Sequence, residues 1–462
     1  MPEPIQPLKR AHRSPPGPRG HFLFGSLPEI QRNPLEFLTC LAREYGDVAK
    51  FRFAFFKGYL VSHPEAIKHI LQDNNRNYNK DNFDYKMLKP VVGEGLLTSD
   101  DDLWLRQRRL IQPAFHRQRI QAFGSVMTET TLEMLERWHK LAAQGEPIDA
   151  AIEMMRLTLR IVGKALFGQD IGREADVVGK AFAAVNADIS ARFRTLLSPP
   201  LFLPTPGNRR LQASIRALNE LVNGIIQARR AAFAAGERGG TDLLAMLLEA
   251  QDEESGEHMS DRQLRDEVMT LLLAGHETTA NNLSWTWYLL SQHHQEEARL
   301  HAELGQVLGG RLPEVADLAN LPYTRRVVQE ALRLYPPAWI LSRKAIQADE
   351  LCGYAIPANA VVEMSPYIMH HHPRYWDDPA AFDPERFTEQ RAAGRPAYAY
   401  FPFGGGPRLC IGRDFALLEA QLILATVAQR FRLRLVPGHP VELEPLVTLR
   451  PKYGLRMMMQ AA

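Results

Sequence analysis

A lone cysteine, Cys410, lies in the glycine-rich stretch 401–416, and its surroundings favour the thiolate form of its side chain. Glycines at 404, 405, 406 and 412 allow sharp turns that bring backbone N–H groups close to the sulfur. A strongly apolar run, 415–427, follows at helical spacing and predicts that the loop precedes a helix. Because peptide dipoles at a helix N-terminus favour an anion, we expect a lowered thiol pKa. A thiolate can ligate a metal, and hydrogen bonds to the sulfur tune that metal.

Two neighbours of Cys410 indicate what kind of metal centre this would be. Phe403 supplies a flat apolar ring and Arg408 a fixed cation, which together suit a flat, dianionic, metal-centred cofactor such as haem. The alternative is a buried structural cysteine in a glycine turn. The stretch resembles the haem-ligand loop of the cytochrome P-450 family, with six positions at the family's intervals: Phe403, Gly406, Arg408, Cys410, Gly412 and Ala416. The resemblance implies that Cys410 is the iron ligand of haem b.

Composition sets the broad class of the protein. The 462 residues are 45% hydrophobic and 23% charged, as expected for a soluble globular protein with a large core. The net charge of +2 indicates neither nucleic acid nor an anionic membrane as a partner. Three cysteines form no disulfide framework and fit a reducing compartment. The N-terminal lead-in, 1–19, is polar and proline-rich, and no run is long enough for a membrane anchor, so we predict a cytoplasmic protein.

A second chemical motif interrupts a long helical pattern. Residues 259–261 would cap a helix over 262–293, which carries Ala274-Gly-His-Glu-Thr-Thr279 in its middle. Glycine and threonine are unfavourable there, so the motif requires a reason. One is a helix kink with a salt-bridged glutamate. The resemblance implies another: Gly275 lets dioxygen or substrate approach, and Glu277 and Thr278 form the acid–alcohol pair that supplies protons during dioxygen reduction.

Further cofactor contacts are predicted on other elements. Acidic residues at 100–102 would cap a helix that carries Trp104 and Arg108 on one face, at i, i+4 spacing. By resemblance this pair binds a haem propionate, although a surface helix with a half-buried tryptophan would show the same pattern. Arg343 matches a second propionate-binding arginine. The resemblance therefore implies six cofactor-binding residues: Trp104, Arg108, Arg343, Phe403, Arg408 and Cys410.

Other charged motifs are predicted to be structural. Glu330 and Arg333 lie at i, i+3 on a helix and could be an ordinary solvated pair. Together with Arg386, they resemble the family's buried ion network, which would hold the cysteine loop in place. The three histidines 370–372 are adjacent and cannot converge on one ion, so we do not predict a metal site there.

The remaining segments give a mainly α fold with a small β-rich part. Strands are predicted at 48–53 and 58–62, joined by a turn at 56–58, and short strands at 351–357 and 360–363. Residues 78–97 read as an irregular loop. A helical region, 123–235, is broken at 145–147 and at the proline-rich stretch 198–207, which by resemblance is a mobile lid. A final hairpin begins at 446. By resemblance the chain, 1–462, is one domain with haem between the long helix and the cysteine loop.

The resemblance implies a monooxygenase that hydroxylates or epoxidises an apolar substrate with O2. The pocket candidates are mostly apolar and carry no charged anchor: Phe83, Leu272, Ala274, Ala338, Trp339, Ile340 and Leu449. They leave fatty acid, terpenoid, steroid and macrolide-like substrates open.

Electrons would come from a ferredoxin or flavodoxin with its NAD(P)H-dependent reductase, since the chain has no flavin or iron–sulfur segment of its own. A possible docking patch is basic: Arg106, Arg109, Arg117 and Arg413. Two alternatives remain. One is a peroxide-using peroxygenase or isomerase of the same fold, against which the Glu277–Thr278 pair argues. The other is a haem sensor or carrier without turnover.

Overall fold

Helices dominate the computed structural model, which describes residues 13–53, 56–172, 175–193, 199–236, 242–251 and 256–462. Within these ranges no helix is both long enough and apolar enough to cross a membrane. The helices are α1 (Leu27–Arg32), α2 (Pro34–Tyr45), α3 (Pro64–Lys68), α4 (Phe83–Val92), α5 (Asp101–Ile111), α6 (Arg117–Ala122), α7 (Gly124–Ala143), α8 (Ala150–Phe167), α9 (Ala175–Phe193), α10 (Pro206–Ala234), α11 (Leu243–Glu249), α12 (Asp261–Gln292), α13 (His294–Leu308), α14 (Pro322–Leu334), α15 (Pro366–His370), α16 (Glu389–Ala392) and α17 (Arg413–Ala428).

The strands form small sheets, which confirms the mainly α prediction. They are β1 (Val48–Phe53), β2 (Phe56–Val61), β3 (Tyr78–Asn79), β4 (Ile148–Asp149), β5 (Leu341–Ala345), β6 (Asp349–Leu351), β7 (Tyr354–Ile356), β8 (Val361–Met364), β9 (Phe431–Leu435), β10 (Leu443–Pro445), β11 (Leu449–Pro451) and β12 (Arg456–Ala461). The largest sheet has the order β1-β2-β8-β5-β3, with β2 and β8 parallel. A second sheet has the order β4-β12-β9, and β6-β7 and β10-β11 are hairpins.

The long helix α12 lies at the centre of the main hydrophobic core. The Ser260 side chain accepts the Gln263 N–H at 3.2 Å and caps the helix one residue before the predicted start. Its 32 residues span about 48 Å. Leu283 and Trp285 are fully buried on it, and α12 packs against α8, α14 and α17. The predicted central helix is therefore correct to within one residue at each end.

The first hairpin turns earlier than predicted. Phe53 pairs with Phe56, so Lys57 and Gly58 lie inside β2 rather than in the predicted turn at 56–58, and residues 54–55 are outside the described ranges. Gly58 lies opposite Phe51, and a Cβ atom at Gly58 would come within 2.4 Å of the Phe51 ring. The glycine is therefore required by cross-strand packing rather than by a turn.

The segment predicted as irregular contains a helix, α4. The Asn82 side chain caps it by accepting the Tyr85 N–H at 3.3 Å, and Pro90 lies within it. The long helical region is also broken once more than predicted. Gly168 ends α8 with φ of +66°, a left-handed conformation that favours glycine at a helix C-terminus.

Candidate active site

The cysteine loop has the predicted position, directly before α17. The Cys410 N–H donates to the Phe403 carbonyl at 3.0 Å, and the Leu409 N–H donates to the Gly406 carbonyl at 3.0 Å. Gly406 has φ of +63°, and a Cβ atom there would come within 1.8 Å of the Leu71 carbonyl oxygen. Only glycine fits this position. The loop backbone is therefore held by its own hydrogen bonds on one side and by close contact with Leu71 on the other.

The Cys410 side chain is accessible, yet the thiol is surrounded by protein. The prediction of a lowered pKa for this thiol is wrong, because its pKa is raised. Burial among protein atoms is the largest cause. The predicted backbone N–H groups, those of Gly412 and Arg413, lower the pKa but contribute less than burial, and the charges of Arg108 and Arg413 act in the same direction. A thiol that combines access with enclosure lies on the wall of an internal space.

Helix α12 borders such a space at its central motif. Leu271, Leu272 and Leu273 are buried, whereas Ala274 is exposed and Thr278 is half-buried. Gly275 faces α8 rather than the space, because a Cβ atom there would come within 3.3 Å of Val162. Close helix packing thus accounts for the glycine without the predicted approach of dioxygen or substrate, and Ala274 and Thr278 present surface at this point of α12.

Glu277 and Thr278 point in different directions. The Thr278 hydroxyl donates to the Ala274 carbonyl at 2.7 Å. Glu277 is 2% exposed and accepts a hydrogen bond from Asn186 Nδ2 on α9 at 2.7 Å. Burial raises the pKa of Glu277 to about 7, opposed by a hydrogen bond from Thr448 and the charge of Arg450. An acid with a pKa near neutrality can both hold and release a proton.

The predicted propionate-binding residues lie close to the loop but on separate elements. The Arg408 guanidinium stacks 4.3 Å above the Trp104 ring and donates to the Ser99 carbonyl at 2.9 Å. Arg108 donates to the Leu409 carbonyl at 3.1 Å, beside Cys410. Arg343 is 6% exposed and donates to the Tyr85 hydroxyl at 3.1 Å.

Lys80, which sequence reasoning missed, completes a buried cationic cluster. Its Nζ donates to the Leu97 carbonyl at 2.6 Å, and burial, together with Arg343 and Arg408, lowers its pKa well below the usual value. Asp100 offsets this charge: it accepts the Lys80 N–H at 2.7 Å and pairs with Arg408 at 2.5 Å. The buried Arg343 and the half-buried Arg408 face one carboxylate and leave an excess of positive charge even without Lys80, which suits a dianionic group such as the two propionates of haem. Nothing local marks Lys80 in the sequence.

The Glu330 network forms as predicted. Both Glu330 oxygens bind Arg333 at 2.7 Å, and Arg386 lies 3.3 Å from the same carboxylate. Arg333 also donates to the His370 carbonyl at 2.9 Å, and His370 Nε2 accepts the Phe401 N–H at 3.0 Å, at the start of the cysteine loop. This explains the buried histidine as a support for the loop.

The predicted pocket residues divide into two groups. Four present surface: Phe83, Ala274, Ala338 and Ile340. Leu272, Trp339 and Leu449 are buried in hydrophobic cores and present almost none. Leu97 is a further candidate, because it is 37% exposed although Leu96 and Thr98 beside it are buried. We therefore restrict the candidate wall to the first four residues and Leu97.

The chain is similar to known proteins over nearly its whole length. Residues 15–457 match the family model for Cytochrome P450. The chain is 40% identical over 447 residues to cyclooctatin synthase of Streptomyces melanosporofaciens, covering 96% of this chain and 95% of that protein. It is 37% identical to cyclooctat-9-en-7-ol 5-monooxygenase of the same organism, over 90% and 88% of the two chains. It is 34% identical to pentalenene oxygenase of Streptomyces avermitilis, over 94% of each. The chain therefore belongs to the cytochrome P450 family and is a haem-thiolate monooxygenase.

Proposed function

We propose that this enzyme inserts one oxygen atom into a cyclic terpenoid alkene or alcohol, by hydroxylation or epoxidation. The observation that carries the proposal is the apolar candidate wall, in which Phe83, Leu97, Ala274, Ala338 and Ile340 offer no fixed charge. Such a wall binds by burial of apolar area and disfavours a charged carboxylate. The names of the relatives support the same class, since they contain pentalenene, an alkene, and cyclooctat-9-en-7-ol, an unsaturated alcohol.

Each site residue then has a role. Cys410 ligates the haem iron, and the bound cofactor supplies the activation of dioxygen. Arg108, Arg343, Arg408 and Trp104 bind the propionates, as the charge excess of their cluster supports. Lys80 is an additional propionate contact, and Phe403 is the ring beside the cofactor. Glu277 and Thr278 are the proton-donating pair.

A binding titration tests the substrate class. Haem absorbance would be followed while cyclic terpenoid alkenes and alcohols are added, with straight-chain fatty acids of equal carbon number as the comparison. We expect saturable spectral changes with the terpenoids and binding at least about tenfold weaker for the fatty acids, because a carboxylate would lose hydration without a partner. Tighter binding of the fatty acids would overturn the terpenoid proposal and leave the monooxygenase assignment intact.

Replacing Thr278 with alanine tests the proton-donating pair. We expect product formation to fall by about 10²-fold while oxygen consumption continues, because the hydroxyl that faces the exposed part of α12 is lost. The measurement is the ratio of product to hydrogen peroxide for each NAD(P)H consumed. Thr286→Ala is the matched control, since that hydroxyl also bonds to its own helix, at 2.8 Å from the Asn282 carbonyl, but is fully buried. The same peroxide-driven rate in Thr278→Ala and wild type, with no reductase-driven rate in either, would favour the peroxygenase alternative.

We propose that electrons come from a ferredoxin or flavodoxin docking on basic residues near the cysteine loop. Arg109, Arg117 and Arg413 are exposed, and Arg413 pairs with its neighbour Asp414 at 2.8 Å. Arg106 is less exposed and pairs with the Glu257 carboxylate at 3.4 Å. Reversing charge at Arg117 and Arg413 should slow reduction by about tenfold at low salt, and less at high salt, with substrate affinity unchanged. Stopped-flow reduction measures this, and reversal at Arg209 and Arg216, exposed on α10, is the control. Equal reduction rates in both double variants would argue against the patch.

A further inference from the structure

Asn186 is a buried polar residue, 1% exposed, and both ends of its side chain are used. It lies on α9, which we name the lid helix because it precedes the predicted lid, the proline-rich stretch 198–207. Its Nδ2 donates to Glu277 Oε1 at 2.7 Å, and its Oδ1 accepts the Val447 N–H at 3.1 Å. A carboxylate oxygen only accepts and a backbone N–H only donates, so the amide orientation is fixed by its partners.

The second partner of Asn186 is itself firmly attached to α12. Val447 and Thr448 form the tip of the β10–β11 hairpin, and Asn281 Nδ2 on α12 donates to the Thr448 hydroxyl at 3.1 Å. The Leu449 N–H donates to the Pro337 carbonyl at 2.9 Å. The hairpin tip is therefore a fixed support, and it is connected to Glu277 both directly, by the Thr448 hydroxyl, and through Asn186 on α9.

Helix α9 also reaches the candidate pocket wall. Phe193, at its C-terminal end, contacts Phe83 edge to face, with ring centroids 6.1 Å apart. The contact between the two aromatic rings stabilises α9 in its position against α12 and the pocket wall, which we call the seated position. One helix thus carries both a contact at the pocket wall and the only amide that bonds to Glu277 among the described side chains.

We infer that Asn186 is the positioning residue for Glu277, so that the proton-donating acid is completed by a residue of the lid helix α9. The amide holds the carboxyl group away from the solvent and fixes its direction between α9 and the hairpin tip. Movement of α9 away from α12 would remove this donor and expose the carboxyl group to water. The inference rests on the monooxygenase activity but not on the substrate class proposed above.

Few other charges act on Glu277. Arg450 attracts it from β11 and is itself paired with Glu444 at 2.8 Å. His276, the preceding residue on α12, packs on Phe182 of α9, but burial lowers its pKa to about 4, so it is neutral near pH 7. Asp188 on α9 forms an ion pair with Arg210. Burial also raises the pKa of Glu267 on α12 to about 8 and the pKa of Glu419, which bonds to Thr279, so a change near neutral pH is assigned to Glu277 by its loss in Glu277→Gln.

The test is the pKa of Glu277, measured by difference infrared spectroscopy of the resting holoenzyme against Glu277→Gln in each background. In Asn186→Leu the charged form of Glu277 loses a hydrogen-bond donor. We therefore expect the pKa of Glu277 to rise by about one unit, which is a tenfold gain in proton affinity. Asn186→Asp keeps the shape and places a second carboxyl group beside the first, so the pair should also titrate higher. If Asn186→Leu does not fold, Asn186→Asp alone decides the question.

Asn208→Ala is the matched control. Asn208 is an equally buried amide that donates to the Pro200 and Leu203 carbonyls at 2.8 Å and accepts from the Arg192 guanidinium on α9, so its removal disturbs the end of α9 without removing a donor from Glu277. Its loss should loosen the stretch 199–207 and leave the Glu277 pKa unchanged. An unchanged pKa in the Asn186 variants, or the same shift in Asn208→Ala, would overturn the positioning role.

A reciprocal measurement tests the link to α9. Burial in the seated state raises the Glu277 pKa to about 7 from its ordinary value of 4.5, so the protonated form favours seating. Seating should weaken as pH rises through this interval, and hydrogen exchange of α9, corrected for intrinsic rates, should speed up by about tenfold or more between about pH 5 and about pH 8. The dependence should disappear in Glu277→Gln. Exchange with the same pH dependence in that variant would refute the coupling to the lid helix, whatever the substrate proves to be.

Discussion

Replacing Cys410 with serine is expected to abolish monooxygenase turnover and the red-shifted Soret band that thiolate-ligated haem gives with carbon monoxide after reduction. A serine hydroxyl stays protonated near neutral pH and donates much less electron density than a thiolate, which is what favours O–O cleavage. The fold should tolerate the change, because the Cys410 side chain is accessible and the loop is held by backbone bonds such as Cys410 N–H to Phe403 at 3.0 Å. We expect the free energy of unfolding of the cofactor-free protein to change by less than about 0.5 kcal/mol.

The controls are the two other cysteines. Cys40 is half-buried on α2, and Cys352 is exposed between β6 and β7, both outside the cysteine loop. Serine at either position should leave the carbon-monoxide spectrum and turnover unchanged. A thiolate spectrum that persists in Cys410→Ser, or that disappears in Cys352→Ser, would assign the iron ligand to another residue.

The elements predicted best from sequence are those with local signals. The Ser260 cap and the leucine-rich run around 271–273 define α12 without any distant contact. The glycines and apolar run around Cys410 likewise define the loop and α17. These signals depend on backbone geometry and helical periodicity, which act within a few residues.

The failures come from packing between distant segments. Helix α4 has no clear apolar period and contains Pro90, and it is stabilised by contacts with α9 and α12. Gly58 reads as a turn residue but is needed beneath Phe51. The Cys410 pKa was predicted from the helix dipole alone, whereas desolvation by the surrounding protein is larger. None of these effects is visible in a short window of sequence.

The candidate site shows the same division. Cys410, Arg408 and the Glu277–Thr278 pair lie in recognisable motifs. Lys80 and Asn186 do not, because each acts through partners far away in the chain: Asn186 meets Val447 across 261 positions. Single polar residues in unremarkable surroundings carry no signal until the fold brings their partners together.

The second large effect is expected from removing Arg333, the centre of the network behind the cysteine loop. Arg333 and Glu330 are both fully buried, and Arg333 also donates to the Pro379 carbonyl at 2.7 Å and the Ala381 carbonyl at 2.9 Å. Arg333→Ala would leave these carbonyl acceptors without a donor, and the buried Glu330 carboxylate would keep only the Asp383 N–H, at 3.0 Å, and Arg386, at 3.3 Å. We expect the free energy of unfolding to fall by about 3–5 kcal/mol.

Urea denaturation of the holoenzyme, followed by haem absorbance and by circular dichroism, measures this loss. Arg299→Ala is the matched control: Arg299 pairs with Glu296 at the same i, i+3 spacing, at 3.3 Å, but its side chain is 56% exposed and the pair is screened by solvent, so its loss should lower the stability far less. Because Arg333 reaches the cysteine loop through His370 and Phe401, haem should be lost at a lower urea concentration than the one that unfolds the helices. Equal midpoints for Arg333→Ala and Arg299→Ala would mean that the buried network contributes no more to stability than an exposed pair, and that the cysteine loop keeps its shape without it.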